Sequence, residues 1–248
     1  MQRALRSGSF AMMLVAVYPI SAPAQQWFNN PGLNAMNSSI QRDATMAQIR
    51  NQGASVSKQV SSSSGSQSNL GPEATRQLSY KPSLARRQEN LANFIAQSRT
   101  NDPQGAAQME RIFASADIIQ RMGKGMAAVG LRNDNIADAY AVYWSSLWHA
   151  SAGSSASPTR AQFAKIKNQV AAALVATPGI IATPDDKKQA FAEALLVQVA
   201  LIDASIEQAK GNPAQLKAIA DAVRQGAKAS GLDLEAMRLT DEGFRSVQ

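Results

Sequence analysis

The chain has 248 residues, 45% of them hydrophobic, with a formal net charge of +7 and no cysteine. That length suits one domain plus a tail. The missing thiols exclude disulfides, cysteine nucleophiles, Cys-ligated zinc and iron–sulfur clusters, so stability has to come from apolar burial.

The amino terminus has the three parts of an export leader. Arg3 and Arg6 supply positive charge, residues 10–20 form an apolar stretch, and Ala22-Pro23-Ala24 is a small-residue cleavage box. Residues 1–24 are therefore expected to be a signal peptide, with the mature chain starting near Gln25. The apolar stretch is shorter than the ~20 residues a spanning helix needs, and no cysteine follows for lipid attachment. A soluble periplasmic or secreted product that is not a lipoprotein is the expectation. Loss of Arg3 and Arg6 takes the charge from +7 to +5. The remaining bases are dispersed, with Arg86-Arg87, Lys165/Lys167 and Lys187-Lys188 the densest groups, and no basic run is interleaved with aromatics. Nucleic acid is not expected as a partner.

Residues 25–79 are expected to be a largely disordered linker. One weakly helical patch has Met36, Ile40 and Ala47 on a face, and the stretch around Ser61-Ser62-Ser63-Ser64-Gly65-Ser66 has too little apolar surface to offset the entropy of ordering it. Such a linker could hold Trp27 and Phe28 at a distance as contact residues. Folded structure is expected from Tyr80, giving a helical domain over 80–248.

From Ser83 onward, apolar residues recur at helical spacing. Starts are marked by Asp102-Pro103, Ser157-Pro158, Thr183-Pro184 and Asn212-Pro213, where an oxygen-bearing cap precedes a proline that needs no N–H. Stops are marked by Gly130, Gly211 and Gly231. These signals predict seven helices over 84–97, 103–115, 117–129, 134–150, 158–176, 184–210 and 213–230. Their inward faces carry Leu84, Leu91, Phe94 and Ile95; Met109, Ile112 and Phe113; Ile118, Ile119, Met122, Met126 and Val129; Phe163, Ile166, Val170 and Leu174; Phe191, Leu195, Val199, Ile202 and Ile206; and Leu216, Ile219, Ala220 and Val223. No alternating strand pattern of useful length occurs. The fold class is all-α, an orthogonal or up-and-down bundle. The tail is apolar at Leu232, Leu234, Met237, Leu239 and Phe244, enough to dock on the bundle. The run Ala194 to Ile202, interrupted by Gln198 and bounded by Glu193 and Asp203, is too short to span a bilayer.

The helix over 134–150 gathers Tyr140, Tyr143, Trp144, Trp148 and His149, which include two of the three tryptophans and the only histidine. Tyr140, Trp144, Leu147 and Trp148 fall on one stripe, which core packing accounts for, and an aromatic-walled pocket for a sugar ring or peptide side chain is the functional alternative. Asp138, Ser145, Ser146 and His149 have the residue types of a catalytic triad, but Asp138 and His149 lie about 16 Å apart along a helix axis. A lone histidine cannot build a His-based zinc site, no acid spacing fits a calcium loop, and neither metal nor cofactor is expected. Gly123-Lys124-Gly125 lacks the strand and wider glycine framework of a phosphate loop. Glu193 and Glu207 would be the acids if the chain cleaved wall polysaccharide, although surface ion pairing, with Lys210 beside Glu207, accounts for them.

Two segments carry a resemblance: Leu131-Arg132-Asn133-Asp134-Asn135-Ile136-Ala137-Asp138-Ala139-Tyr140 with Tyr143-Trp144, and Gly231-Leu232-Asp233-Leu234 with Leu239-Thr240-Asp241-Glu242-Gly243-Phe244. Over about 80–244 the chain resembles a bacterial exported family of unknown function, which implies an all-α exported domain and assigns no site residue; the tail before Tyr80 shows no such resemblance. The resulting expectation is a non-enzymatic interaction or binding module of the cell envelope, with an envelope protein or glycan as partner. A polysaccharide-acting enzyme and a small-ligand binder are the alternatives.

Overall fold

The computed structural model describes residues 72–100, 103–153, 157–176, 179–229 and 232–247. The expected leader, the Ser-rich segment, Trp27, Phe28, the expected Asp102 cap and the expected Gly231 stop lie outside them. Among the described residues are eight helices and one hairpin: α1 Pro72–Gln77, α2 Leu84–Arg99, α3 Pro103–Ser115, α4 Ile118–Ala128, α5 Ile136–Ser151, α6 Arg160–Val175, α7 Asp185–Gln208, α8 Pro213–Ala229, β1 Met237–Thr240 and β2 Gly243–Ser246. The fold is an all-α bundle, and seven of its helices occupy the seven expected places.

Local chemistry explains most boundaries. Asn135 accepts from the amides of Ala137 and Asp138 and so caps α5. Asn212 accepts from the Gln215 amide ahead of α8, as its Asn-Pro pair predicts. Gly130 and Gly211 take φ of 81° at the ends of α4 and α7, a region open to glycine without steric cost. Two starts differ from expectation. The cap of α6 is Thr159 rather than Ser157, because Thr159 and Gln162 exchange side-chain and backbone bonds in a capping box. Thr183 turns its hydroxyl back to the Gly179 carbonyl, leaving α7 to begin after Pro184 with Asp185 and Asp186 facing its positive end.

The core is continuous. α7 is its axis: it packs most extensively on α5 and also meets α2, α4 and α8, while α5 is flanked by α6 and α8. Nearly every residue expected to face inward does so; Phe163, Ile166, Val170, Leu174, Phe191, Leu195, Val199, Ile202 and Ile206 are all buried. Leu84 does not. It is 62% exposed, because the inward stripe of α2 starts one turn later with Arg87, whose guanidinium reaches Glu193. By length and mean hydropathy (1.4 over its best window) α7 would qualify as a membrane span, which counting the Ala194–Ile202 run alone did not show, and 61% of that window is buried by neighbouring helices.

Two features fall outside the expected layout. Helix α1, Pro72–Gln77, lies inside the stretch assigned to the linker, and Leu78 after it is fully buried. Leu78, Ser79 and Tyr80 pair with the α5 entry: Ile136 N donates to Leu78 O, Tyr80 N donates to Asp134 O, and Asn135 Nδ2 donates to Ser79 Oγ. Lys188, only 6% exposed, donates to the carbonyls of Gln77 and Ile181 and so ties the end of α1 to α7. The second feature is the hairpin, absent from the sequence expectation. Each strand has only four residues, too few for an alternating pattern to register. Met237, Leu239 and Phe244 face the bundle, and Gln169 of α6 closes the outer edge of β2, accepting from Phe244 N (2.9 Å) and donating to Phe244 O (2.8 Å). Gly243, at φ 91°, has Gln169 Oε1 where a Cβ would sit.

Gln169→Ala should remove two hydrogen bonds from a backbone pair with no other partner, costing about 1–2 kcal/mol. Hydrogen exchange should show faster exchange in 237–246 with little change in α7.

Candidate functional site

The aromatic helix α5 lies against α7 and the hairpin. Tyr140 and Trp144 are buried (7% and 2% exposed), while Tyr143, Trp148 and His149 are partly buried. The rings meet one another and their neighbours. Tyr140 lies 5.2 Å from Phe191 and 6.0 Å from Trp144, and Phe244 of the hairpin lies 6.4 Å from Trp144 and 6.3 Å from Trp148. Most of these are edge-on or tilted pairs of the kind that stabilise cores. The Trp148 indole N–H donates to Met237 O, so its polar end is also used by the hairpin. Burial raises the Tyr140 hydroxyl above its ordinary range and pushes that of Tyr143 up to about 12. Both are neutral phenols at physiological pH.

His149 has a buried Nε2 with no hydrogen-bond partner, and burial lowers its pKa. Of the other triad types, Ser145 bonds back to Ala141 O and Asp138 is fully buried elsewhere. The Asp138 carboxylate takes the Arg132 amide on Oδ2 and the Lys167 ammonium on Oδ1 at 2.7 Å, fastening the loop before α5 to α6. Burial still raises its pKa. Asp203, which only bounded an apolar run in the sequence, lies in the seam between α5 and α7 and accepts one bond, from Ser146 Oγ at 3.1 Å. Burial pushes its carboxyl up to about 6, the Ser146 bond offsetting only part of that.

The second polar cluster lies between α2 and α7. Glu193 is 1% exposed, so it is no surface residue. Its Oε1 accepts from Arg87 Nε (2.8 Å) and Gln189 Nε2 (2.9 Å), and its Oε2 from Asn90 Nδ2 (2.9 Å). Arg87 also donates to Asp117, the cap of α4, at 2.6 Å. Burial works to lower the guanidinium pKa, but its bonds to the two carboxylates outweigh that and leave it raised. Gln189 completes the cluster by accepting from Ser83 N and donating to Ser83 O. The sequence signal for this arrangement was Arg87 on an otherwise apolar stripe, at the helical spacing 84, 87, 91, 94. Glu207 is exposed and pairs with Lys210, as its spacing indicates. Glu193 and Glu207 are fourteen residues apart on one helix, about 21 Å. Gly123 and Gly125 lie inside α4, where Gly123 leaves room for the Asn133 amide, which donates to Ile119 O. Among the described residues, no group of three or more His, Asp or Glu is placed to hold a metal ion.

Fold and interior together define a cysteine-free helical bundle whose buried polar groups are largely bonded to one another. The chain belongs to a family of unknown function, DUF6683, whose model matches residues 7–246. The match reaches well beyond 80–244, through the Ser-rich segment and back to residue 7. No curated protein and no solved structure matches the chain.

Glu193→Gln should leave Arg87 buried against an uncharged amide and destabilise the domain by about 3 kcal/mol in urea unfolding. Asp203 gives a pH-dependent test. Its folded pKa, about 6, exceeds its ordinary value of 3.8, so its contribution is most favourable at acid pH and is lost as pH rises through about 6. His149 acts in the opposite sense, because its folded pKa lies below 6.5 and acid favours the unfolded chain. Asp203→Asn should therefore be more stable than the parent by about 1–3 kcal/mol at pH 7, with the difference shrinking towards pH 4. A constant difference would show that the seam does not shift this carboxyl.

Proposed function

We propose that this protein is an exported helical interaction module of the bacterial cell envelope, without catalytic activity of its own, delivered by a leader that is then removed and carrying the Ser-rich segment as its amino-terminal tether. The leader chemistry of residues 1–24 supports export, and the family match beginning at residue 7 supports treating that segment as part of the family's shared sequence. The observation that carries the binding reading is how the interior carboxylates are used. Glu193 holds Arg87, Asn90 and Gln189 together, and Asp138 holds Lys167 and the Arg132 amide, so each joins helices or loops.

A polysaccharide-cleaving enzyme would need two carboxyl groups about 5–9.5 Å apart across a substrate. Glu193 and Glu207 do not meet that spacing, and Glu193 is paired with a cation. For small-ligand binding by the aromatic stripe, Tyr140 and Trp144 are already covered by Phe191 and Phe244. A surface partner, protein or glycan, fits this arrangement best.

Residues 1–24 placed before a leaderless alkaline phosphatase should yield reporter activity in a bacterial host, and amino-terminal sequencing of the exported full chain should start at Gln25. Reporter inactivity, or an intact leader on the mature chain, would defeat the export part. Cross-linking in intact cells should give adducts through surface residues of the described domain. A purified domain that hydrolyses wall material and loses that activity with Glu193→Gln would overturn the non-enzymatic part.

A further inference from the structure

The hairpin register places two arginines directly opposite each other. β1 and β2 pair as Met237↔Ser246, Arg238↔Arg245, Leu239↔Phe244 and Thr240↔Gly243. Side chains of directly opposed residues emerge on the same face of a sheet. Met237 and Phe244 are buried against the bundle, so Arg238 and Arg245 share the outer face; Arg238 is exposed and Arg245 half-exposed.

They also form a hydrogen-bonded backbone pair, which fixes them side by side. Val247 N donates to Ala236 O, and Gln169 takes the outward N and O of Phe244. Bonded and non-bonded pairs alternate in an antiparallel ladder, so Arg238 and Arg245 form a bonded pair, with Cα atoms about 5.5 Å apart. Like charges in that position repel. The neighbouring acids do not relieve them. Glu242 pairs with Lys165, Glu235 lies by Arg224, and Asp233 Oδ1 accepts the amides of Glu235 and Ala236. Neither arginine has a carboxylate within ion-pair distance among the described residues.

We propose that Arg238 and Arg245 form a clamp for an anionic oxygen group, a phosphate or carboxylate borne by a ligand or surface polymer. Two planar guanidinium forks offer donors and no acceptor, which suits such groups bidentately, and an anion between them turns the repulsion into attraction. The scaffold holds the pair in place: the outer edge of β2 is closed by Gln169, Met237 O is held by the Trp148 indole, and Thr240 Oγ1 bonds to Gly243 O at the turn. The site goes beyond the envelope reading and does not depend on export.

The test is thermal unfolding of the full chain in chloride buffer and, at matched ionic strength, with inorganic phosphate or acetate added. Parent, Arg238→Gln and Arg245→Gln are compared. The parent should gain about 2–4 °C at tenfold excess over the dissociation constant, and each variant should lose that gain while matching or exceeding the parent in chloride alone. Co-sedimentation with phosphatidylglycerol vesicles and with soluble polyphosphate separates a lipid headgroup from a soluble polymer as the source of the anion. Parent-like gains in both variants, or no gain in the parent with any anion, would overturn the clamp. Because this readout is binding by purified protein, its failure would leave the export reading standing, and failed export would leave the clamp untouched.

Discussion

Everything in the bundle rests on making α7 its axis, and Glu193, buried on that axis, is held there by Arg87. A 24-residue helix with so wide a buried face has to partner every polar group on that face. Leucine, valine and isoleucine do so without partners, but a carboxylate in the middle would be costly if unpaired. Arg87 supplies charge, Asn90 and Gln189 supply further donors, and Asp117 uses the far side of the guanidinium. One cluster thereby ties α2, the start of α4 and α7 together. A hydrophobic replacement could equal its stability, but it would not fix the rotation and height of three helices as directional bonds do.

Around that axis the other polar contacts fasten pieces that have little core of their own. Asn135 caps α5 and also bonds Ser79. Lys188 grips the end of α1, and Gln169 grips β2. A two-stranded hairpin is marginal by itself. Here Phe244 between Trp144 and Trp148 supplies the apolar contact, and the α6 amide substitutes for a third strand.

The layout of the bundle was readable because helix signals are local. Gly130, Gly211 and Asn212-Pro213 act through residues one to four positions away, and the apolar stripes repeat within each helix. The misses share a cause. Thr159 displaced Ser157 because a capping box needs Gln162 as well as the cap itself. Leu84 faces out because a distant glutamate recruited Arg87 to the inward turn. Pro72–Ser79 reads as linker because its anchoring partners are Asn135, Ile136 and Lys188, more than fifty residues away. The candidate site was only partly legible. The aromatic stripe could be named residue by residue, but which rings cover it, and that Asp203 rather than Asp138 meets Ser146, depends on how α7 lies across α5.

Sequence by itself therefore determined the helical class, most helix boundaries, most of the apolar faces and the absence of thiol chemistry, all of which follow from spacing and residue type. Tertiary structure decided which charges are buried, which aromatics are covered, where the hairpin forms and that Arg238 stands opposite Arg245. The physical reason is range. A cap or a stripe acts within one or two turns of chain, whereas burial and strand register depend on residues that meet only after the chain has closed on itself.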